Sequence, residues 1–168
     1  MNELRLTPVE LYFLGTLLDA EYIDYQYVSA LPDIQNNYRV IEEDTIEKLE
    51  EKGLVEQDFD GTVSVEEPVL NLLKPIFFGE IECRVNTTWS EGNLHIFDKE
   101  MTFVSKEHNH YLIEALDDEQ LHDLIEDQEL DLHAMDIQKG FLDKSFTEEE
   151  MGLSENINSA IAIMKGDW

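Results

Sequence analysis

Five histidines and a large excess of carboxylates are the side chains of this sequence that could bind a metal ion or transfer protons. His108 and His110 are two residues apart, so an extended strand would place both imidazoles on one side of a sheet, as some metal sites require. Two ligands do not complete a site. His95, His122 and His133 could join them, but the sequence contains no His-Glu-x-x-His, paired-cysteine or calcium-loop pattern. We therefore predict no metal centre and no cofactor.

Patterns for nucleophilic catalysis or nucleotide binding are missing as well. The sequence has no Gly-x-Ser-x-Gly turn, phosphate-binding loop or dinucleotide glycine pattern. The 39 Asp and Glu residues are so numerous that some pair must lie close by chance, so a candidate acid and base pair carries little information. Cys83 is the single cysteine, and we expect it to be a small core residue. We predict a binding protein without catalytic residues.

Composition limits the class of protein and its partners. The chain has 168 residues and a formal charge of -28, yet 42% of its residues are hydrophobic, which is typical of a folded domain rather than an acidic disordered tail. Such a polyanion is repelled by phosphate and by anionic lipid, so we expect neither nucleic acid nor membrane as a partner. No basic and apolar leader opens the sequence, and we expect a cytoplasmic protein.

Residues 1–78 predict helices and one small hairpin. Thr7, Pro8 and Glu10 form a capping-box pattern that starts a helix running to about residue 19. The segments that follow predict a short helix over residues 22–31, an acidic helix ending at Lys52-Gly53, a hairpin over residues 54–65 and a helix from Pro68. This outline is also that of a winged-helix DNA reader. However, residues 39–53 contain six acidic and three basic side chains, so we expect at most an architectural likeness.

The period changes from helical to alternating at Gly79. Alternation over residues 81–89 and three further short apolar runs up to residue 116 predict a four-stranded antiparallel meander. Asp117 or Asp118 then caps a helix, with Gln120 completing the capping box. We predict an α+β fold in a single bipartite domain: residues 1–78 mainly helical with a hairpin, residues 79–130 a sheet plus helix, and residues 131–168 a helical C-terminal segment.

The C-terminal segment has the least regular pattern, especially over residues 126–152. Ser154 is predicted to cap a last helix on which Ile157, Ile161 and Met164 share one face, with Trp168 just beyond it. This apolar stripe could bind a helical partner, or it could pack on the protein's own sheet.

An acidic track covers residues 114–131, which contain nine acidic residues and no lysine or arginine. Such a run is either a solvated helix face or a docking surface for a basic partner. The second interpretation predicts an immunity protein that inhibits a basic toxin, because dense carboxylates mimic phosphates and accelerate association. An acidic structural or regulatory module is a third possibility.

The order of these elements resembles a known family. The landmarks are the opening helix over residues 6–18, Leu31-Pro32, the Lys-Gly-Leu-Val sequence at residues 52–55, VEEPVLNLLKP at residues 65–75, and the meander from Gly79. Over about residues 4–130 the chain is similar to the amino-terminal unit of the EspG family of type VII (ESX) secretion chaperones, in a Gram-positive form. The resemblance implies a non-enzymatic cytoplasmic chaperone that binds helical secretion substrates and keeps them soluble.

One departure from the family concerns length. The family fold, as the resemblance implies it, repeats the helix-plus-sheet unit with pseudo-twofold symmetry, whereas about forty residues follow the first unit here. One hypothesis is that two chains form a symmetric homodimer that supplies both halves and covers a sheet edge.

Physical reasoning, rather than the resemblance, selects the candidate partner-binding residues. Trp89 precedes the turn formed by Ser90 to Asn93, where a large aromatic side chain could anchor an interface or could instead end a core strand. Together with the C-terminal stripe, the predicted partner-binding residues are Trp89, Ser90, Asn93, Ile157, Ile161, Met164 and Trp168.

Overall fold

Seven of nine strands form one antiparallel sheet in the computed structural model, which describes residues 1–87, 91–127, 130–152 and 156–168. The strands are β1 (Glu3–Leu6), β2 (Val55–Gln57), β3 (Val63–Val65), β4 (Ile81–Thr87), β5 (Glu91–Phe97), β6 (Glu100–Glu107), β7 (His110–Leu116), β8 (Leu130–Lys139) and β9 (Leu142–Thr147). The helices are α1 (Pro8–Leu17), α2 (Tyr25–Ser29), α3 (Tyr38–Glu51), α4 (Glu67–Phe78), α5 (Asp118–Glu126), α6 (Glu148–Met151) and α7 (Ile157–Met164). The sheet order is β1-β7-β6-β5-β4-β8-β9, and β2 pairs with β3 in a separate hairpin.

Two hydrophobic clusters lie on opposite faces of the sheet, because neighbouring residues of a strand point to opposite sides. Helices α1 to α4 pack on one face, where Val104, Tyr111 and Ile113 are buried with Leu11 and Leu73. Helices α5 to α7 pack on the other. That second cluster includes Cys83, Leu94, Ile96, Met101, Phe103, Leu121, Ile125, Met151, Ile161 and Met164. The α+β class is confirmed, and the sheet is a central layer between two helical layers.

Local sequence signals placed most elements correctly. The Thr7 hydroxyl accepts from the Glu10 amide at 3.1 Å and Glu10 accepts from the Thr7 amide at 2.9 Å, so the predicted capping box is present. A second capping box joins Asp117 and Gln120 at the start of α5. Gly53 follows α3 with φ of +74°, a conformation that glycine adopts without steric cost.

Three strands are additions to the predicted meander. Residues 3–6, for which no strand was predicted, form β1 and pair with β7. Residues 131–168 were predicted to be helical, but residues 130–147 form β8 and β9, so that prediction is wrong for this stretch. Asn156 caps α7, whereas Ser154, the predicted cap, lies outside the described residues.

An irregularity in β8 explains why its pattern is hard to interpret in the sequence. Leu130 and Leu132 are buried at even positions, whereas Met135 and Ile137 are buried at odd positions. The pairing with β4 shifts register between Arg84 and Asn86, so the inward-facing set changes phase along one strand. No single period of hydrophobic residues therefore describes the whole of this strand. No helix in the described part of the chain combines the length and the hydropathy of a membrane span.

An ion pair between a half-exposed lysine and a buried glutamate joins the end of α3 to the start of α1. Lys52 donates from Nζ to Glu10 Oε2 at 2.6 Å, and the Glu10 side chain is only 5% exposed. Burial acts to raise the pKa of Glu10, but hydrogen bonds from Lys52 and Thr7 outweigh it and hold that pKa below its ordinary value. Because the folded pKa is depressed, this stabilisation is present above the ordinary pKa of 4.5 and is lost as the pH falls through the folded value.

Lys52→Met is expected to lower the free energy of unfolding by about 2 kcal/mol, since it leaves the Glu10 carboxylate buried without its charged donor. Urea unfolding at pH 7 measures the change. Lys48→Met is the matched control, because Lys48 pairs with Asp44 at 3.0 Å where both side chains are mostly exposed, and little change is expected there. Equal losses in the two variants would contradict the prediction.

Candidate partner-binding groove

A groove of 1010 Å³ lies between α5 and strands β4, β6, β7 and β8, on the face that α5 to α7 cover. Apolar side chains of four elements line it: Phe103 of β6, Leu116 of β7, Leu124 of α5 and Leu130 of β8. Polar and charged side chains complete its lining, namely Thr87, Ser105, Lys106, Glu107, His108, Glu114, Gln120, Asp123 and Asp127. An apolar floor with a charged rim is typical of a surface that binds another protein.

Packing beneath the groove positions its floor. Leu121 and Ile125 are four residues apart on one face of α5, and both are buried against the sheet, which leaves Leu124 partly exposed beside them. Phe103 lies over Gly92 on the neighbouring strand. A Cβ atom at Gly92 would come within 2.2 Å of Phe103 Cζ, so glycine provides the space that the ring occupies.

Charge is distributed unevenly around the rim. Lys106 and His108 lie at the end of β6 and in the turn after it, whereas Asp123 and Asp127 belong to α5 and its C-terminal cap. The α5 side is therefore strongly negative, whereas the turn side carries Lys106 beside the acidic Glu107. A substrate with an apolar tip and flanking charges of both signs fits this arrangement.

The histidines do not form the pair that an extended strand would give. His108 lies in the turn between β6 and β7 with φ of +43°, and His110 is the first residue of β7. Elsewhere in the described residues, His122, Asp123 and Glu126 bring possible ligand atoms within 4.8 Å of one another on the outside of α5.

The structure separates the partner-binding residues that the sequence predicted. Trp89 and Ser90 lie outside the described residues. Asn93 points away from the groove, to the opposite face of the sheet, where its Nδ2 donates to Gln26 Oε1 at 2.7 Å.

The predicted stripe of α7 lies in the core. Ile161 is 9% exposed and Met164 is fully buried, while Ile157 and Trp168 are partly buried against the same cluster. The Trp168 ring packs edge-on against Phe146, with the ring centroids 5.4 Å apart. In this conformation the stripe packs on the protein's own sheet, so a partner cannot reach Ile161 or Met164.

A buried polar network, which sequence reasoning missed, lies under α2 on the face opposite the groove. Gln26 donates from Nε2 to Glu82 Oε1 at 2.7 Å, and the carboxyl groups of Asp24 and Glu82 are hydrogen-bonded to each other. The hydroxyl of Tyr27 lies 2.6 Å from His95 Nε2. Glu82 is only 8% exposed and His95 only 4%. The network therefore joins α2 to β4 and β5 through polar side chains.

Burial and the neighbouring carboxylate decide where the protons lie in this network. Burial, together with Asp24, raises the pKa of Glu82 to about 8. Burial also acts to raise the pKa of Asp24, but hydrogen bonds from Glu82 and Gln26 lower it overall. Burial lowers the pKa of His95 to about 4. At neutral pH, Glu82 is the protonated member of the pair, Asp24 is ionised and His95 is neutral.

Comparison with known proteins yields a likeness of fold. No protein-family profile matches the chain, and no curated protein sequence is similar to it. Among solved structures, the chain is similar to EspG5, a type VII secretion system chaperone of Mycobacterium tuberculosis that was solved in complex with a PE25-PPE41 dimer. The TM-score is 0.50 and the sequence identity 14%. The match covers 74% of this chain and 50% of that one, so the chain spans about half the length of the chaperone.

Proposed function

We propose that this protein is a non-enzymatic cytoplasmic chaperone or adaptor that binds a helical substrate of a type VII secretion system and keeps it soluble for export. The observation that carries the proposal is the likeness of its fold to a type VII chaperone that was solved with a substrate dimer bound. The order of elements in the sequence resembles the same family, and that resemblance does not depend on the structure.

The groove supplies a physical means of binding such a substrate. An exposed apolar end of a helical pair would lose contact with water against Leu116 and Leu124, which are partly exposed in the groove. The charge of -28 keeps the complex soluble, because like-charged complexes repel one another. Apolar contacts thus provide affinity, and the acidic surface opposes aggregation of the substrate.

Co-purification of the full chain from its native cytoplasm at moderate salt, followed by mass spectrometry, tests the proposal. We expect small helical secretion substrates in the eluate. Recovery of a basic nuclease or another toxin domain in their place would overturn the chaperone assignment.

The second candidate function is inhibition of a basic toxin, and the outer surface of α5 favours it. Asp118, Glu119, Asp123 and Glu126 are all on this helix, and its single ion pair with a lysine among the described residues joins Asp118 to Lys165. Salt dependence separates the two functions. An inhibitor that binds through exposed charges weakens steeply as salt rises, whereas apolar binding in the groove does not.

Trp89 remains a proposed anchor for the substrate. Trp89→Ala is expected to weaken substrate binding at least tenfold, as loss of an interface aromatic commonly does, while the thermal unfolding midpoint stays unchanged. Titration of the purified variant with the co-purifying substrate measures the affinity. Wild-type affinity in a folded variant would reject this role.

A homodimer is part of the proposal because β1 and β9 are edge strands of the sheet, and an edge strand can pair with a second chain. Two copies would supply together the two units that the resemblance implies. Light scattering that finds a monomer at micromolar concentration would reject the dimer without affecting the proposed substrate binding.

A further inference from the structure

The network under α2 has a feature that simple packing does not require, since one proton lies between two carboxyl groups at a helix start. Asp24 caps α2 by accepting from the Gln26 amide at 3.1 Å, and the same side chain is hydrogen-bonded to Glu82 of β4. We propose that α2 is a latch whose closure onto the sheet is controlled by the proton shared between Asp24 and Glu82. This inference does not depend on the proposed function.

Helix α2 needs such contacts because it is too short to be stable alone. It has five residues, and one of them, Tyr25, is 76% exposed. Its docking relies on Tyr27, whose ring packs edge-on against Tyr111 with centroids 5.3 Å apart, and on the hydrogen bonds of Gln26. Tyr27 is also buried in the hydrophobic cluster, so the polar contacts hold the helix together with this apolar packing, and weakening them lowers the stability of the docked state.

Few groups around the pair can compensate for loss of the proton. From β4, Arg84 Nε lies 3.7 Å from Glu82 Oε1, but the Arg84 side chain is half-exposed and also donates to Gln138 of β8 at 3.4 Å. From β5 comes His95, which is neutral, and from β7 comes the Tyr111 phenol. Glu91 of β5 and Lys106 of β6, which carry opposite charges, line a small cavity beside Gln26. Ionised Glu82 would therefore face the Asp24 carboxylate in a buried site.

The direction of the pH effect follows from the two shifted groups. The pKa of Glu82 is raised from 4.5 to about 8 in the closed state, so its contribution to closure is complete below pH 4.5 and is lost as the pH rises to about 8. The pKa of His95 is lowered from 6.5 to about 4, so its contribution is complete above pH 6.5 and is lost as the pH falls to about 4. Between pH 4.5 and 6.5 the two effects cancel.

Above pH 6.5 the effect of Glu82 exceeds that of His95, and closure weakens until the closed state has also lost the proton, about one pH unit above the pKa of about 8. Amide hydrogen exchange, corrected for the intrinsic rate at each pH, measures this directly. The reporters are the amides of Tyr27 and Val28, which donate to the Asp24 carbonyl. We expect their protection factors to be nearly constant from pH 5 to 6.5, to fall about tenfold from pH 6.5 to 8, and to level off by about pH 9.

Two variants and one internal control decide the result. The Leu11 amide of α1, which donates to the Thr7 carbonyl, should show no such fall. Glu82→Gln keeps an acceptor for Gln26 and a donor for Asp24, so protection should be constant above pH 6.5. Asp24→Asn keeps the helix cap and the burial of Glu82 but removes the neighbouring charge, so the fall between pH 6.5 and 8 should be smaller than in the wild type without disappearing.

The latch is overturned if the wild-type amides are equally protected at pH 6.5 and 8, or if Glu82→Gln shows the wild-type fall. Should Glu82→Gln fail to fold, Asp24→Asn decides alone, and a fall in that variant equal to the wild-type fall rejects the shared proton as the cause.

Discussion

Replacement of Gly79 by alanine is expected to lower the free energy of unfolding by about 3 kcal/mol. Gly79 joins α4 to β4, where the chain passes from a helix into the central sheet. A Cβ atom there would lie 2.2 Å from the Pro75 carbonyl oxygen and 2.6 Å from that of Ile96. Both are backbone atoms of regular elements, so neither can move aside as a flexible side chain does.

The cause of this loss is space rather than backbone conformation, because φ of Gly79 is -67°, which any residue adopts. Gly53→Ala is the opposite case and the matched control. Gly53 has φ of +74° and no atom within 4 Å of an added Cβ, so we expect a loss of about 1 kcal/mol from conformation alone. Urea unfolding of both variants measures the difference. A Gly79 variant no less stable than the Gly53 variant would show that the junction of α4 and β4 accommodates a Cβ atom without loss of stability.

Elements that depend on neighbouring residues could be predicted from the sequence. The capping boxes of Thr7 with Glu10 and of Asp117 with Gln120 span three residues each, and the hairpin of β2 and β3 closes over a short turn. Helices and hairpins of this kind are encoded by local periodicity and turn chemistry, so a single sequence is enough to find them.

Elements that depend on distant pairing could not be predicted in this way. Strand β1 is four residues long and pairs with β7, a strand far away in the sequence, with Glu3 opposite Glu114. Strand β8 changes the phase of its inward-facing residues where the pairing with β4 shifts. Neither feature leaves a regular period in the sequence.

The candidate sites depend even more on tertiary structure. Cys83 is buried in the core, as the sequence predicted. Its neighbour Glu82 points to the opposite face of the sheet, where α2 covers the carboxyl group beside Asp24. The groove likewise has walls from four strands and a helix, so its residues become neighbours only after the sheet has formed.

Leu124 provides the most direct test of the groove. Leu124→Gln is expected to weaken binding of the helical substrate by about twentyfold, since it removes most of the apolar contact that a buried leucine makes. The change keeps a good helix former on α5 and adds no charge, so neither helix stability nor electrostatic attraction of the substrate should account for the loss. Titration calorimetry with the purified substrate at two salt concentrations measures the effect.

Leu142→Gln is the matched control, because it makes the same chemical change at a leucine of β9 that is 61% exposed and outside the groove. Its affinity for the substrate should equal that of the wild type. A Leu124 variant that binds as the wild type does, while circular dichroism shows it to be folded, would exclude the groove as the substrate site. If both leucine variants lose affinity, the contact extends to the β9 side of the sheet and the groove alone does not account for binding.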